Sequence, residues 1–272
     1  MLKRLTTAEE AGWFFRLTIQ LFNLSETAFR DPRDLEHFKR LQLSLVESLR
    51  ECRDVQLELA TLIDSHTKEV ECGVGGVDFV NGHIHVSNDI EPKLNRLFKD
   101  FFSKARTALY HLVGQKDAPE SVTHFLLDRR SISFVQVKDD ATFDKYAAKF
   151  LQDVPGEKAQ GLINMLRGER AAWPSTLIRT RDRINHDIEC PQLRMTYGVV
   201  GGKLRAGFPT VSGHELRQYL TLFWENLYQV VEETVLVCIA IRMPDNFVPC
   251  RIPDDEVDPK LPLRWRFVFR PN

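Results

Sequence analysis

Apolar positions in this chain recur mostly at spacings of three and four, the rhythm of helices that bury one face. Thr7 and Glu10 make a capping-box pattern ahead of Ala11, Phe14, Phe15, Leu21 and Phe22, which predicts a first helix near residues 7–28. Asp31 as N-cap and Pro32 at the first helical position open a second. Its stripe, Leu35, Phe38, Leu41, Leu45, Leu49, Cys52, Val55, Leu59 and Leu62, predicts one long helix. Packing in its own domain is favoured for that stripe over a coiled-coil partner surface. Asn88 with Glu91 starts another, whose broad apolar face from Leu94 to Leu112 ends at Gly114. Ser212 with Glu215 starts the strongest, carrying Leu216, Leu220, Phe223, Trp224, Leu227, Val231 and Val235 and stopping near Met243-Pro244. That last helix is apolar on more than one side over Val235 to Ile241, so its end should lie in the core or a dimer interface.

Between the helices the period changes. VDFVNGHIHV alternates around Asn81-Gly82, which can supply the two positive φ angles of a tight hairpin turn. LRMTYGVVGGKLRAGF reads as a second hairpin around Gly201-Gly202. Residues 115–155 mix a helix near 118–127, an extended SISFVQVK piece and a short ATFDKYAAKFL helix, read as an elaboration. Lys158 to Arg170 is again helical, and RWRFVF near the C-terminus suits an edge strand. The expected organisation is an N-terminal helical pair and hairpin over 1–87, a helical core with an insertion over 88–243, and a tail with the edge strand over 244–272.

The chemistry concentrates in WPSTLIRTRDRINHDIECP. Pro174 suits the start of a helix and Pro191 ends one, which predicts a helix over about 174–188 with Leu177, Ile178, Ile184 and Ile188 as its apolar stripe. At 3.6 residues per turn, Arg181, Asp182, Asn185 and His186 share an arc of roughly 140°. Arg179 falls beside His186. A permanent cation, a titratable imidazole and two short polar groups on one surface can handle a phosphodiester without a metal.

The run RDRINH at 181–186 resembles the R-[N/D/H]-x-x-x-H motif of the HEPN superfamily, small all-helical domains that include metal-independent ribonucleases. Arg181, Asp182 and His186 match the motif, and Asn185 lies beside them. The resemblance implies a HEPN-like helical bundle built from the helices near Asn88, Pro155, Pro174 and Ser212. It also implies a homodimer in which two copies of the motif helix meet, and RNA as substrate. Arg106 and His111 repeat the Arg-to-His spacing on another helix, but Thr107 stands where the motif needs Asn, Asp or His. The alternative reading of the same residues is a non-catalytic helical module that binds a nucleotide or a protein partner, with an antitoxin one such partner.

Composition narrows the field. A formal net charge of −1 gives no global pull on nucleic acid, so an RNA path must be local. From Lys158 to His186 there are six Lys or Arg against two Asp or Glu, which makes Arg167, Arg170, Arg179 and Arg183 the candidate nucleic-acid contacts. Trp265, Phe267 and Phe269 beside Arg264, Arg266 and Arg270 suit base stacking, but an edge strand packing its aromatics is the commoner use. Five cysteines, widely spread and without CxxC, fit a reducing cytoplasm better than a disulfide or zinc framework. His83 and His85 share a strand face without a third ligand nearby, so neither metal nor cofactor is expected. The longest apolar run, Val235 to Ile241, is too short for a bilayer, and no membrane partner is expected. GVGG at 73–76 precedes a strand rather than a helix, which fails the dinucleotide fingerprint, and GxxxxGK, GxSxG and HExxH are absent.

Overall fold

The computed structural model describes residues 12–114, 120–137, 139–172, 192–211, 213–253, 255–258 and 263–270. Among them it is mainly α. Residues 12–15 are helical and pass through a π-turn (Arg16–Gln20) into α1 (Leu21–Glu26). There follow α2 (Pro32–Glu71), α3 (Glu91–Val113), α4 (Val122–Leu126), α5 (Asp140–Asp153), α6 (Glu157–Ala172) and α7 (Leu216–Arg242). The predicted motif helix over 174–188 lies outside the described residues. No helix among those described is long and apolar enough to cross a membrane.

Two hairpins were expected, and the described residues contain four antiparallel strand pairs. β1 (Val77–Val80) pairs with β2 (His83–Val86) around Asn81 (φ 52°) and Gly82 (φ 81°), both in the left-handed region as the turn requires. β3 (Thr196–Val200) pairs with β4 (Lys203–Gly207) around Gly201-Gly202. The additions are a minimal pair, β5 (Thr210–Val211) with β6 (His214–Glu215), and β7 (Phe247–Arg251) with β8 (Trp265–Phe269). RWRFVF is therefore one strand of an antiparallel pair, and its partner over 247–251 is disguised by Pro249, which lacks a ladder N–H.

Three local expectations are also corrected. SISFVQVK is not extended: Ser133–Gln136 is a 3₁₀ turn. Ser131 Oγ accepts from the Ser133 amide at 3.1 Å, and the turn buries both Phe134 and Val135, which a strand would send to opposite faces. At α3 the side chain that receives the first amide is Asp89, from Glu91 N at 2.9 Å, and the Glu91 carboxylate bonds elsewhere. α7 starts at Leu216, after His214–Glu215 has paired with Thr210–Val211, and the Leu216 amide donates to Pro209 O at 2.8 Å; Ser212, the expected cap, lies outside the described residues.

The chain divides into two compact units, residues 1–49, 107–178 and 227–272, and residues 50–106 and 179–226. In the first, Phe29 stacks on Phe125 (5.7 Å) and lies 5.6 Å from Phe38, while Phe134 meets Phe143 at 5.5 Å. Val231, Val235 and Ile239 of α7 are fully buried, so the apolar end of that helix is core. Fully burying side chains of this size stabilises by roughly 1.5–3 kcal/mol each. Lys158 donates to Ala240 O (2.9 Å), Met243 O (3.0 Å) and Pro244 O (2.8 Å), satisfying carbonyls that the end of α7 leaves without intrahelical partners.

A buried polar network also holds this unit together. Glu232, 1% exposed, accepts from Gln20 Nε2 (3.0 Å) and Tyr228 OH (2.9 Å), with Arg16 Nε at 3.7 Å. Arg16 also donates to Tyr228 OH. Gln20 Oε1 accepts the amides of Arg264 (2.7 Å) and Trp265 (3.0 Å), which ties β8 to the N-terminal helix. The π-turn carries both Arg16 and Gln20 of this network.

In the second unit the rings of Phe98, Phe101, Phe102 and Phe223 form one cluster, with Phe102 5.2 Å from Phe223. Arg53 lies over Trp224 at 4.8 Å, and Gln56 donates to Thr221 at 2.8 Å. Buried Cys52 and Cys238, with exposed Cys72 and Cys250, are free; burial pushes the Cys52 and Cys238 thiols up and leaves them inert. GVGG closes α2 as a Schellman end: Gly73 (φ 74°) donates to Val70 O (3.1 Å), and Val74 to Glu69 O (2.9 Å).

Candidate functional site

Arg179, Arg181, Asp182, Arg183, Asn185 and His186 lie outside the described residues, as does all of 173–191. What the fold positions is the chain on either side. α6 leads in. Arg170 is in its last turns, with its side chain outside the described set. Arg167 is not a free cation: its guanidinium contacts Asp144 at 2.6 Å and lies over Phe143 at 5.6 Å. The pair is half-exposed, worth a few tenths of a kcal/mol to about 1 kcal/mol, so a phosphate could compete for it.

The exit from the motif is clamped. Asn95 of α3 accepts from Leu193 N (3.0 Å) and donates to Leu193 O (3.2 Å), and the Glu91 carboxylate accepts from Met195 N (2.9 Å). Leu193 and Met195 are buried beside these bonds. Two residues on, Tyr197 of β3 shares a hydrogen bond with His66 Nε2 at 2.9 Å. His66 is 2% exposed and its Nδ1 has no partner. Burial lowers its pKa below the usual histidine value, against the opposing pull of Glu69 and Asp89. Burial raises that of Tyr197, helped by Glu91 and Asp89. Both groups are therefore neutral near pH 7, and the residues just after the motif are joined to α2 and α3 by uncharged or backbone-directed bonds.

The other sequence candidates are less concentrated. Arg106 and His111 are half-buried on α3, and each is engaged by neighbours. His83 and His85 are exposed on β2. Arg266 is bonded to Glu256 at 2.8 Å, and the half-buried Trp265 and Phe267 alternate along β8 with the exposed Arg266 and Val268.

A cleft of about 300 Å³ collects residues outside the predicted site. Arg129, Arg130 and Ser131 come from the loop after α4, and Tyr146, Lys149 and Asp153 from α5, over a floor of buried Phe134 and Phe150. Tyr146, Lys149, Phe150 and Asp153 follow i, i+3, i+4, i+7 and share one helix face. The signals in the sequence were that helical spacing and the adjacent pair Arg129-Arg130 at the end of a short helix.

No protein-family model, curated protein or solved structure matches the chain. The class that stands is a mainly α protein with four small antiparallel strand pairs among its described residues.

Proposed function

We propose that this protein is a metal-independent endoribonuclease of HEPN-like type, acting as a homodimer on RNA. The observation that carries the reading is the run Arg181-Asp182-Arg183-Ile184-Asn185-His186 in a mainly α chain. Support comes from its flanks: a helix leads in, and the exit is fastened to α3 through Asn95 and Glu91. A short polar helix used for catalysis needs such fastening, because groups must hold their geometry to well within an ångström or so.

In this mechanism the 2′-oxygen of a ribose attacks the adjacent phosphorus. One copy of His186 takes the 2′-OH proton, and the other gives a proton to the departing 5′-oxygen. The products are a cyclic phosphate and a 5′-hydroxyl. Arg181 holds the charge on the phosphoryl oxygens through the pentacoordinate state, and Asp182 and Asn185 orient the pair. Arg167, Arg170, Arg179 and Arg183 supply the local positive path that the overall charge of −1 does not.

The test is cleavage of single-stranded RNA in a chelator. His186→Ala should lower the rate by about 10²- to 10⁴-fold with the fold intact. Arg181→Ala should weaken both binding and turnover, and a 2′-deoxy residue at the cleaved position should block reaction. Sedimentation should show a dimer at micromolar concentration. Cleavage of the deoxy substrate, dependence on a divalent ion, or an unaffected His186→Ala would overturn the assignment in favour of a non-catalytic binding module.

A further inference from the structure

We infer that the cleft formed by Arg129, Arg130, Ser131, Tyr146, Lys149 and Asp153 is a nucleotide site, made of residues other than the motif's, that takes a phosphate on its cations and a base on Tyr146. Charge comes first. Three cations face one carboxylate there, and no hydrogen bond or ion pair to another described residue engages the side chains of Arg129, Arg130 or Lys149. Elsewhere in the same unit Arg167, Lys158 and Arg242 are each spent on a carboxylate or on carbonyls. Unspent guanidinium groups are the donors that phosphate recognition uses; the Ser131 hydroxyl beside them donates to Ser133 Oγ at 2.8 Å and adds no free donor.

The backbone is also unusual at this point. α4 ends in a Schellman motif, with Asp128 N donating to Phe125 O (3.3 Å) and Arg129 N to His124 O (2.8 Å). At the end of α2 the same motif has Gly73 in the left-handed position, and α3 is followed by Gly114. Here the left-handed residues are Asp128 (φ 50°) and then Arg129 (φ 67°), conformations that side chains disfavour. Arg242 holds them: its Nη1 donates to Leu126 O (3.1 Å) and Asp128 Oδ1 (2.6 Å), and reaches Phe125 O at 3.5 Å. A disfavoured turn pinned by a dedicated arginine, at the point where it delivers two unpaired arginines to a cleft, is the arrangement expected where strain serves a ligand.

Size and shape choose the ligand. A volume of about 300 Å³ is at the low end of ligand pockets and suits one nucleotide unit. Tyr146 is 47% exposed at the rim, where a base can stack, and Asp153 can accept only, which suits ribose hydroxyls or an exocyclic amine. The nucleotide could be free or the phosphorylated end of an RNA chain, and the chemistry is the same.

Titration calorimetry of the full chain tests this with 5′-AMP, adenosine, inorganic phosphate, and a 5′-phosphorylated trinucleotide whose 2′-O-methyl riboses resist cleavage. AMP should bind one per chain, the trinucleotide should compete with AMP for that site, phosphate should compete more weakly, and adenosine should not bind. Arg130→Ala and Lys149→Ala, both at exposed positions, should each weaken binding roughly tenfold or more. Tyr146→Leu should weaken it by about fivefold or more while Tyr146→Phe keeps it. Tighter binding of the trinucleotide than of AMP assigns the source as an RNA end, and the reverse as a free nucleotide. His186→Ala should bind as the wild type does, so loss of RNA cleavage and loss of this site are read separately. No heat with either phosphorylated probe at millimolar concentration, equal binding of adenosine, unchanged affinity in the cation variants, or loss in His186→Ala would overturn the proposal.

Discussion

Replacing Glu232 by alanine removes the one acceptor on which three side chains converge. Gln20 Nε2 and Tyr228 OH each lose a hydrogen bond of 3.0 and 2.9 Å, and Arg16 loses its counter-charge. Gln20 is 1% and Tyr228 5% exposed, so water cannot readily replace the carboxylate. An unsatisfied buried polar group costs about 1–3 kcal/mol, and an orphaned buried charge about 3–5 kcal/mol. Arg16 is 13% exposed and keeps Tyr228 OH as acceptor, which lowers its share. The loss should be about 3–5 kcal/mol, a large part of the 5–15 kcal/mol typical of a whole protein, and should lower Tm by on the order of 10 °C. Glu232→Gln keeps an acceptor and the volume and should cost about 1–2 kcal/mol. Reversible urea unfolding gives the free energies. Hydrogen exchange gives the address: Gln20 also holds the amides of Arg264 and Trp265, so protection should fall in β8 and β7 before the core of α7. A Glu232→Ala protein within about 1 kcal/mol of wild type, or one whose β8 amides stay protected, would refute the reasoning.

Two further outcomes follow from single groups. His66 has a folded pKa below 6.5, so the unfolded chain takes up a proton first as pH falls; its contribution is intact above pH 6.5 and is lost as pH drops below that value toward the folded pKa. His66→Gln should therefore flatten the decline of stability as pH falls below 6.5, measured by urea unfolding against pH, and an unchanged slope would sink the assignment. Lys158→Met leaves the carbonyls of Ala240, Met243 and Pro244 without their donor and should lower stability by about 2 kcal/mol, read as a lower urea midpoint. A midpoint within error of wild type would show that water caps α7 equally well.

Elements specified by near neighbours were legible from the sequence. The three-and-four rhythm from Leu35 to Leu62 needs only 3.6 residues per turn to become one face, and α2 follows it. Asn81-Gly82 and Gly201-Gly202 needed only the steric freedom of positive φ to mark their turns. The RDRINH string at 181–186 is a local pattern of the same kind, but the helix expected to carry it lies outside the described residues.

What depends on partners far along the chain was decided by tertiary packing. Glu91 reads as a capping-box residue, but the amide of Met195, buried where it needs an acceptor, takes its carboxylate. SISFVQVK alternates like a strand, yet no strand among the described residues pairs with it, and burying Phe134 against Phe143 and Phe150 outweighs β propensity. Pro249 hides a strand that only the pairing with Phe267 reveals. The cleft shows the same division: its α5 face is periodic in the sequence, but Arg129 and Arg130 reach it through a left-handed turn held by Arg242, more than a hundred residues away in the chain. Charge pairs and buried hydrogen bonds act across space, and no local pattern encodes which distant group will be close enough to satisfy them.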